Sequence, residues 1–296
     1  MVRTVERVSV SVPASSANLG PGYDCLGVAL PLRSELEVVR DGSRALTVAV
    51  EGEGAASLPL DATNLVVRSF ARAWDGSLDG LAFRLRNRVP MRSGTGSSSA
   101  AIVAGLAAAL ALGGRPYDAD TLLPLAVELE GHPDNVSAAI CGGFTLSVTE
   151  PARACRIEPP AGLSFVLAMP THTLCTTESR KALRPHLPRA DAVFSLQRTA
   201  LLVHALGTGR LDLLACALDD RMHEPDRAPL VPLFATLQPL AGSPGCLGVT
   251  LSGAGPSVLV WALSDEVELV EASVRRLCGD AEVSVIAPEP RGVLVT

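Results

Sequence analysis

The chain has 296 residues, 48% of them hydrophobic and 19% charged, with 25 basic against 31 acidic side chains and a formal net charge of −6. This composition excludes a disordered chain and predicts a well-cored globular protein of about two domains. The acidic balance argues against a broad phosphate-neutralising face for nucleic acid, and a single lysine, Lys181, leaves lysine-dependent chemistry one candidate.

In chain order, Glu6 and Arg7 stand where an export signal would have its apolar core, so a cytoplasmic protein is expected. Residues 8–12 read as a strand and PASSANLGPGYDCLG (13–27) as one long loop. Segments 36–40 and 46–50 read as strands, 64–74 has helical spacing, and 81–86 alternates as a strand. The stretch VPMRSGTGSSS (89–99) leads into an alanine-rich run, 100–112, that is too short to cross a bilayer and contains a glycine. It predicts a buried helix and no membrane association.

Residues 122–130 look helical, followed by the polar turn GHPDN, a small-residue helix at 136–140 and a strand from Phe144. The proline-rich PARACRIEPPAG (151–162) marks the expected boundary between domains 1–155 and 156–296. Beyond it, strands are expected at 163–169 and 258–263 and helices around 194–206, 211–218 and 266–277, with the turn LSGAGPS (251–257) and a closing strand. Strands and helices mix without regular alternation, which favours α+β over a doubly wound sheet. Seven cysteines with no C-x-x-C predict free thiols in a reducing compartment, and the five histidines show no zinc-ligand spacing.

The strongest local feature is Pro90-Met-Arg-Ser-Gly94-Thr-Gly96-Ser97-Ser98-Ser99 running into a helix. Glycines let a backbone approach a ligand closely, and a helix N-terminus presents unpaired N–H groups, which together suit phosphate. On the residues alone, serines that merely cap a buried helix are an equal reading. A Walker loop needs Gly-Lys, and a dinucleotide fingerprint needs a third glycine and a distal acidic residue; neither is here. Other polar clusters are Asn18 and Asp24 in the first loop, Glu130, His132, Asp134 and Asn135 in ELEGHPDN, and Thr176, Thr177 and Arg180 in CTTESRKALRP.

With these segments the sequence resembles the GHMP kinase family, whose three motifs match residues 13–27, 90–101 and 251–257 in order and spacing. EGHPDN (130–135) and DRMHEPDRAPLVP (220–232) place the likeness in the branch that phosphorylates L-homoserine. Three positions depart from the pattern: Thr95 and Met222 replace leucines and Asp226 replaces a tyrosine. The first is expected to cost packing under the phosphate loop. The third is expected to set a negative charge beside a carboxylate-binding arginine.

The resemblance implies a two-domain α+β fold, with an N-terminal ribosomal-S5-like β-α-β domain and a C-terminal ferredoxin-like α+β domain. It implies ATP and Mg²⁺, the nucleotide held by Pro90, Arg92, Ser93, Gly94, Thr95, Gly96, Ser97, Ser98 and Ser99 with Asn64 on the adenine side, and the metal by Ser98 and Glu130. L-homoserine would be bound by Asp24 at its ammonium, Arg180 and Arg227 at its carboxylate and Asn135 at its hydroxyl, with Asn18, Thr176 and Gly253 in support. Asn135, Glu130 and Ser98 would carry the transfer without a strong base, and no catalytic lysine is implied. His132 reads as a ring that fixes the GHPDN turn, with proton transfer as the alternative. A homodimer is left open, as are a family member of mevalonate-pathway specificity and a non-catalytic ligand-binding relative.

Overall fold

The computed structural model describes residues 6–296. Strand β1 (Arg7–Ala17) pairs antiparallel with β2 (Leu26–Arg40), with a register shift between Pro13 and Ala14. β1 thus runs on through PASSA, where the residue pattern predicts a loop. Ser15 and Ser16 are fully buried there, so the period-2 alternation that signals a strand is lost.

Along its other edge β2 pairs at its start with β5 (Phe144–Thr149) and at its end with β4 (Leu81–Asn87). β3 (Thr47–Gly52) lies parallel to β4, and β6 (Ala152–Ile157) antiparallel to β5. The PARAC segment is therefore an edge strand, and the chain changes sheet between Ile157 and Leu163. From the carboxyl end, β11 (Leu294–Val295) returns to pair with β1.

Helices α1 (Leu65–Ala73), α2 (Ser97–Leu112), α3 (Ala119–Glu130) and α4 (Asp134–Cys141) share one hydrophobic core with this sheet. α2 is apolar all round and buried along nearly its whole length. A Cβ at Gly105 would meet the Val66 carbonyl and lie 2.8 Å from the Phe70 nitrogen, so glycine lets α1 and α2 cross in backbone contact.

The second sheet has the antiparallel order β10 (Glu282–Ile286), β7 (Leu163–Met169), β9 (Val258–Leu263), β8 (Cys246–Leu251). Between β7 and β8 lie α5 (Thr176–Lys181), α6 (Arg189–Thr208), α7 (Leu214–Ala217), α8 (Glu224–Arg227) and α9 (Pro232–Leu237), and α10 (Val267–Leu277) precedes β10. A second core joins the halves: Phe144 of β5 stacks 5.8 Å from Trp261 of β9, which meets Phe165 of β7 edge-on at 4.9 Å. The result is a β-α-β first half and an α+β second half. Among the described residues no helix is long and apolar enough to cross a membrane, and all seven cysteines are free thiols.

Candidate active site

The three glycine- and serine-rich segments are knitted together. Ser15 N–H donates to the Thr95 carbonyl at 3.1 Å, Gly253 N–H to Ala17 at 3.2 Å and Ser257 N–H to Ser93 at 3.2 Å. Ser252 Oγ donates to the Gly94 carbonyl at 2.8 Å and lies 2.9 Å from Ser16 Oγ. Asn18, left-handed at φ 69°, donates from Nδ2 to the Gly253 carbonyl at 2.8 Å and accepts the Asp24 N–H at 3.0 Å. Its amide is therefore a brace between two loops.

Where these loops meet, a cavity of about 590 Å³ is lined by Pro90, Arg92 and residues 93–99, by Glu130 and Asn135, and by Asn18, Asp24, Arg180, Arg227 and Gly253. Of the threonine pair, Thr177 lines it; Thr176 opens α5, and its side chain lies outside the described residues. Asn64 borders a neighbouring cavity of about 220 Å³, largely apolar through Leu58, Leu65, Val66 and Met91, which shares Arg92, Ser97 and Ser98 with the first. Both ends of the Asn64 amide are engaged, Oδ1 by Val66 N–H at 3.0 Å and Nδ2 by the Pro59 carbonyl at 2.8 Å. It is a helix cap that shapes this wall.

α2 begins behind Gly96, left-handed at φ 71° and with no side chain to cap the helix. The serines do not cap it either: Ser98 Oγ donates to Glu130 Oε2 at 3.0 Å and Ser99 Oγ to Oε1 at 2.7 Å. The capping reading of SGTGSSS therefore does not hold, and the first N–H groups of α2 have no side-chain cap. Thr95 is buried, its hydroxyl 2.6 Å from Ser93 Oγ and 3.3 Å from the Pro90 carbonyl, so the packing expected to be lost with leucine is replaced by hydrogen bonds.

Asn135 lies in the first turn of α4, where its Oδ1 accepts from Ser15 Oγ at 2.9 Å. Buried Asp134 takes the Asn135 N–H at 2.7 Å and His132 Nδ1 at 2.6 Å on the same oxygen, so His132 does fix the GHPDN turn. Burial pulls the His132 pKa down, but the Asp134 hydrogen bond and the charges of Asp134 and Glu130 outweigh it, and the net shift is upward. Arg180 grips Asp24 in bidentate fashion at 2.7 and 3.0 Å and donates to Tyr23 Oη at 2.8 Å. The Asp24 hydrogen bond, ahead of its charge, raises the Arg180 pKa.

Asp226 differs from expectation. Its carboxylate accepts Arg184 N–H at 3.0 Å and lies 3.2 Å from Arg184 Nε, so its charge is met by Arg184 and not set against Arg227.

Models of the GHMP kinases N terminal domain and of the GHMP kinases C terminal region match residues 62–143 and 202–280. A homoserine kinase of Streptomyces coelicolor is 45% identical over 273 residues, covering 90% of this chain and 87% of that protein. The chain belongs to the GHMP kinase family. Another family member, the homoserine kinase of Symbiobacterium thermophilum, is 46% identical over 83% of this chain and 80% of its own. The crystal structure of a homoserine kinase from Cytophaga hutchinsonii superposes with a TM-score of 0.90 at 27% identity, covering 100% and 99% of the two chains. A phosphomevalonate kinase of Streptococcus pneumoniae, at 12% identity and a TM-score of 0.72 over 95% of this chain and 99% of its own, shares the GHMP kinase fold.

Several residues of this GHMP kinase site were not assigned to it from the sequence, among them Lys181, noted there only as the chain's one lysine. Lys181 lines the cavity beside Arg180, and Tyr23 lies under two guanidinium groups, 5.6 Å from Arg180 Cζ and 5.3 Å from Arg227 Cζ. Ser15 carried one signal, a polar residue that continues an apolar strand. Tyr23 carried none beyond its place next to Asp24.

Proposed function

We propose that this kinase transfers the terminal phosphoryl group of ATP to the hydroxyl of L-homoserine, giving O-phospho-L-homoserine. One observation carries the reading: a single cavity holds the phosphate loop at the start of α2 together with Asp24, Arg180 and Arg227. A zwitterionic amino acid calls for that set, a carboxylate for its ammonium and arginines for its carboxylate. Mevalonate offers no ammonium to Asp24, and galactose offers neither charge.

ATP and Mg²⁺ fit the residues present. The open N–H groups behind Gly96 suit phosphate, and the hard oxygens of Ser98 and Glu130, already 3.0 Å apart, suit a small cation that keeps several waters. When bound, the ion supplies charge neutralisation at the phosphate oxygens. Ser98 and Glu130 would hold it, residues 90–99 would hold the phosphates, and the base would enter the apolar cavity beside Asn64. Asn18 and Gly253 set the loop that carries Asp24, and Thr176 is assigned to the substrate side by resemblance.

Each carboxylate at the cavity already has a partner: Glu130 with two serines, Asp134 with His132 and Asn135 N–H, and Asp24 with Arg180. None is poised as a strong base. Asn135 has Oδ1 occupied by Ser15, so Nδ2 is left to donate to the substrate hydroxyl oxygen and to turn the hydroxyl proton toward a phosphate oxygen. Phosphoryl transfer through a loose transition state depends on such alignment more than on proton abstraction.

Release of ADP with homoserine, mevalonate, galactose and shikimate tests the assignment. Turnover is expected with homoserine; turnover of another alcohol and none of homoserine would sink it.

A further inference from the structure

His223 belongs to DRMHEPDR, is fully buried, and has both ring nitrogens engaged. Nε2 lies 2.8 Å from the Gly20 carbonyl, which can only accept, so Nε2 carries the hydrogen. Nδ1 lies 3.0 Å from Arg227 Nη1, which can only donate, so Nδ1 offers its lone pair. The two partners leave one neutral tautomer. The backbone is held as firmly: the buried Asp220 carboxylate accepts the N–H groups of Met222, His223 and Glu224 at 2.8, 2.8 and 2.9 Å.

Arg227, one helical turn on, is only 2% exposed yet lines the cavity. Its Nη1 also reaches the Gly253 carbonyl at 3.3 Å, and its Nε has no partner among the described residues. The imidazole therefore provides the shorter of the two hydrogen bonds that set the guanidinium plane, and it leaves Nη2 for the cavity. Tyr23 closes the side, its ring 5.2 Å from the His223 ring and 5.3 Å from Arg227 Cζ. Gly20 and Asp24 share a loop, so the same ring ties the ammonium side of the site to the carboxylate side.

We propose that His223 is a positioning residue for recognition of the substrate carboxylate, its Nδ1 lone pair fixing the Arg227 guanidinium while Nε2–H anchors the ring to Gly20. The inference rests on the amino-acid-kinase reading above. His223 touches neither substrate nor nucleotide; it acts through Arg227.

The test separates the two nitrogens. In His223→Asn, the side-chain oxygen falls near Nδ1 and keeps an acceptor for Arg227; in His223→Gln, the amide nitrogen falls near Nε2 and keeps only the anchor. Steady-state kinetics of wild type, H223N, H223Q and H223A are expected to show the homoserine KM raised about 10- to 100-fold in H223Q and H223A, in line with losing one hydrogen bond to a charged group. H223N should recover most of it, and the KM for ATP should stay within about twofold throughout, since a local hydrogen-bond loss does not spread to a separate ligand.

Equal effects of Asn and Gln, or ATP and homoserine KM values rising together, would mean that the ring only fills space. Should H223A not fold, the Asn–Gln contrast decides. Long-range ¹H–¹⁵N spectra of the wild-type ring provide a readout independent of turnover. A neutral Nε2–H imidazole at pH 7 is expected, and an Nδ1–H or charged ring overturns the proposal. A wild-type chain that leaves homoserine untouched would instead overturn the substrate assignment.

Discussion

Ser15 donates its hydroxyl to Oδ1 of Asn135 at 2.9 Å, and Ser15 Oγ fills the space that a Cβ on Gly96 would need. One buried serine therefore orients the Asn135 amide and sets the floor under Gly96. Asn135→Ala is expected to lower kcat about 100-fold, the usual cost of one preorganised donor. Ser15→Ala should lower it about 10-fold by letting the amide turn, with both KM values little changed. A kcat unaltered by S15A would show that the amide holds its orientation without the hydroxyl.

Glu130 accepts from Ser98 and Ser99 through separate oxygens, an arrangement that aims both lone-pair sets at the start of α2. Glu130→Gln keeps the shape and one acceptor but removes the charge. It is expected to cost about 100-fold or more in kcat and to raise the Mg²⁺ concentration needed for half-maximal rate. A magnesium titration of the variant that overlays the wild-type curve would remove Glu130 from the metal site.

Arg180 holds Asp24 through both oxygens, so under the proposed function an incoming amino acid would exchange one ion pair for two, its ammonium on Asp24 and its carboxylate on Arg180. Arg180→Lys loses the planar fork and should raise the homoserine KM about 10-fold while leaving the ATP KM in place. Asp24→Asn should raise it further, because the neutral amide neither attracts the ammonium nor holds Arg180. Unchanged homoserine KM values in both would place substrate recognition elsewhere in the cavity.

The long amphipathic and apolar elements were legible in the sequence. α2 and the strands Leu163–Met169 and Val258–Leu263 fall where hydrophobic pattern put them. The site could be listed because its motifs are short and contiguous. What pattern could not reach were contacts between segments distant in the chain: Ser15 with Asn135, Asn18 with Gly253, His223 with Gly20. Asp226 shows the same limit from the other side: its departure from the family pattern set a negative charge beside Arg227, whereas the fold pairs it with Arg184.

His223 and Glu224 are adjacent and buried, and their titrations act on stability with opposite signs. Burial, then the nearby Arg227 charge working against Asp220, brings the His223 pKa down to about 4. The groups around it are the Asp220 carboxylate at 3.6 Å, the Arg227 guanidinium, Tyr23 and Asp24. Its folded pKa lies below the unfolded value of about 6.5, so the unfolded chain takes up the proton first. Stability that is complete above about pH 6.5 is lost as pH falls toward the folded value. Glu224 behaves inversely: burial pushes its carboxyl well above the ordinary range. Its contribution is full below the unfolded pKa of about 4.3 and declines as pH rises toward the raised folded value. Glu224→Gln keeps an acceptor for Leu251 N–H, now at 2.8 Å, and cannot ionise. Thermal melts across a pH series should give E224Q a Tm close to wild type near pH 5 and above it at pH 8, while H223N flattens the loss of stability on the acid side. Parallel curves for E224Q and wild type over the whole range would show that Glu224 does not change its proton content on folding.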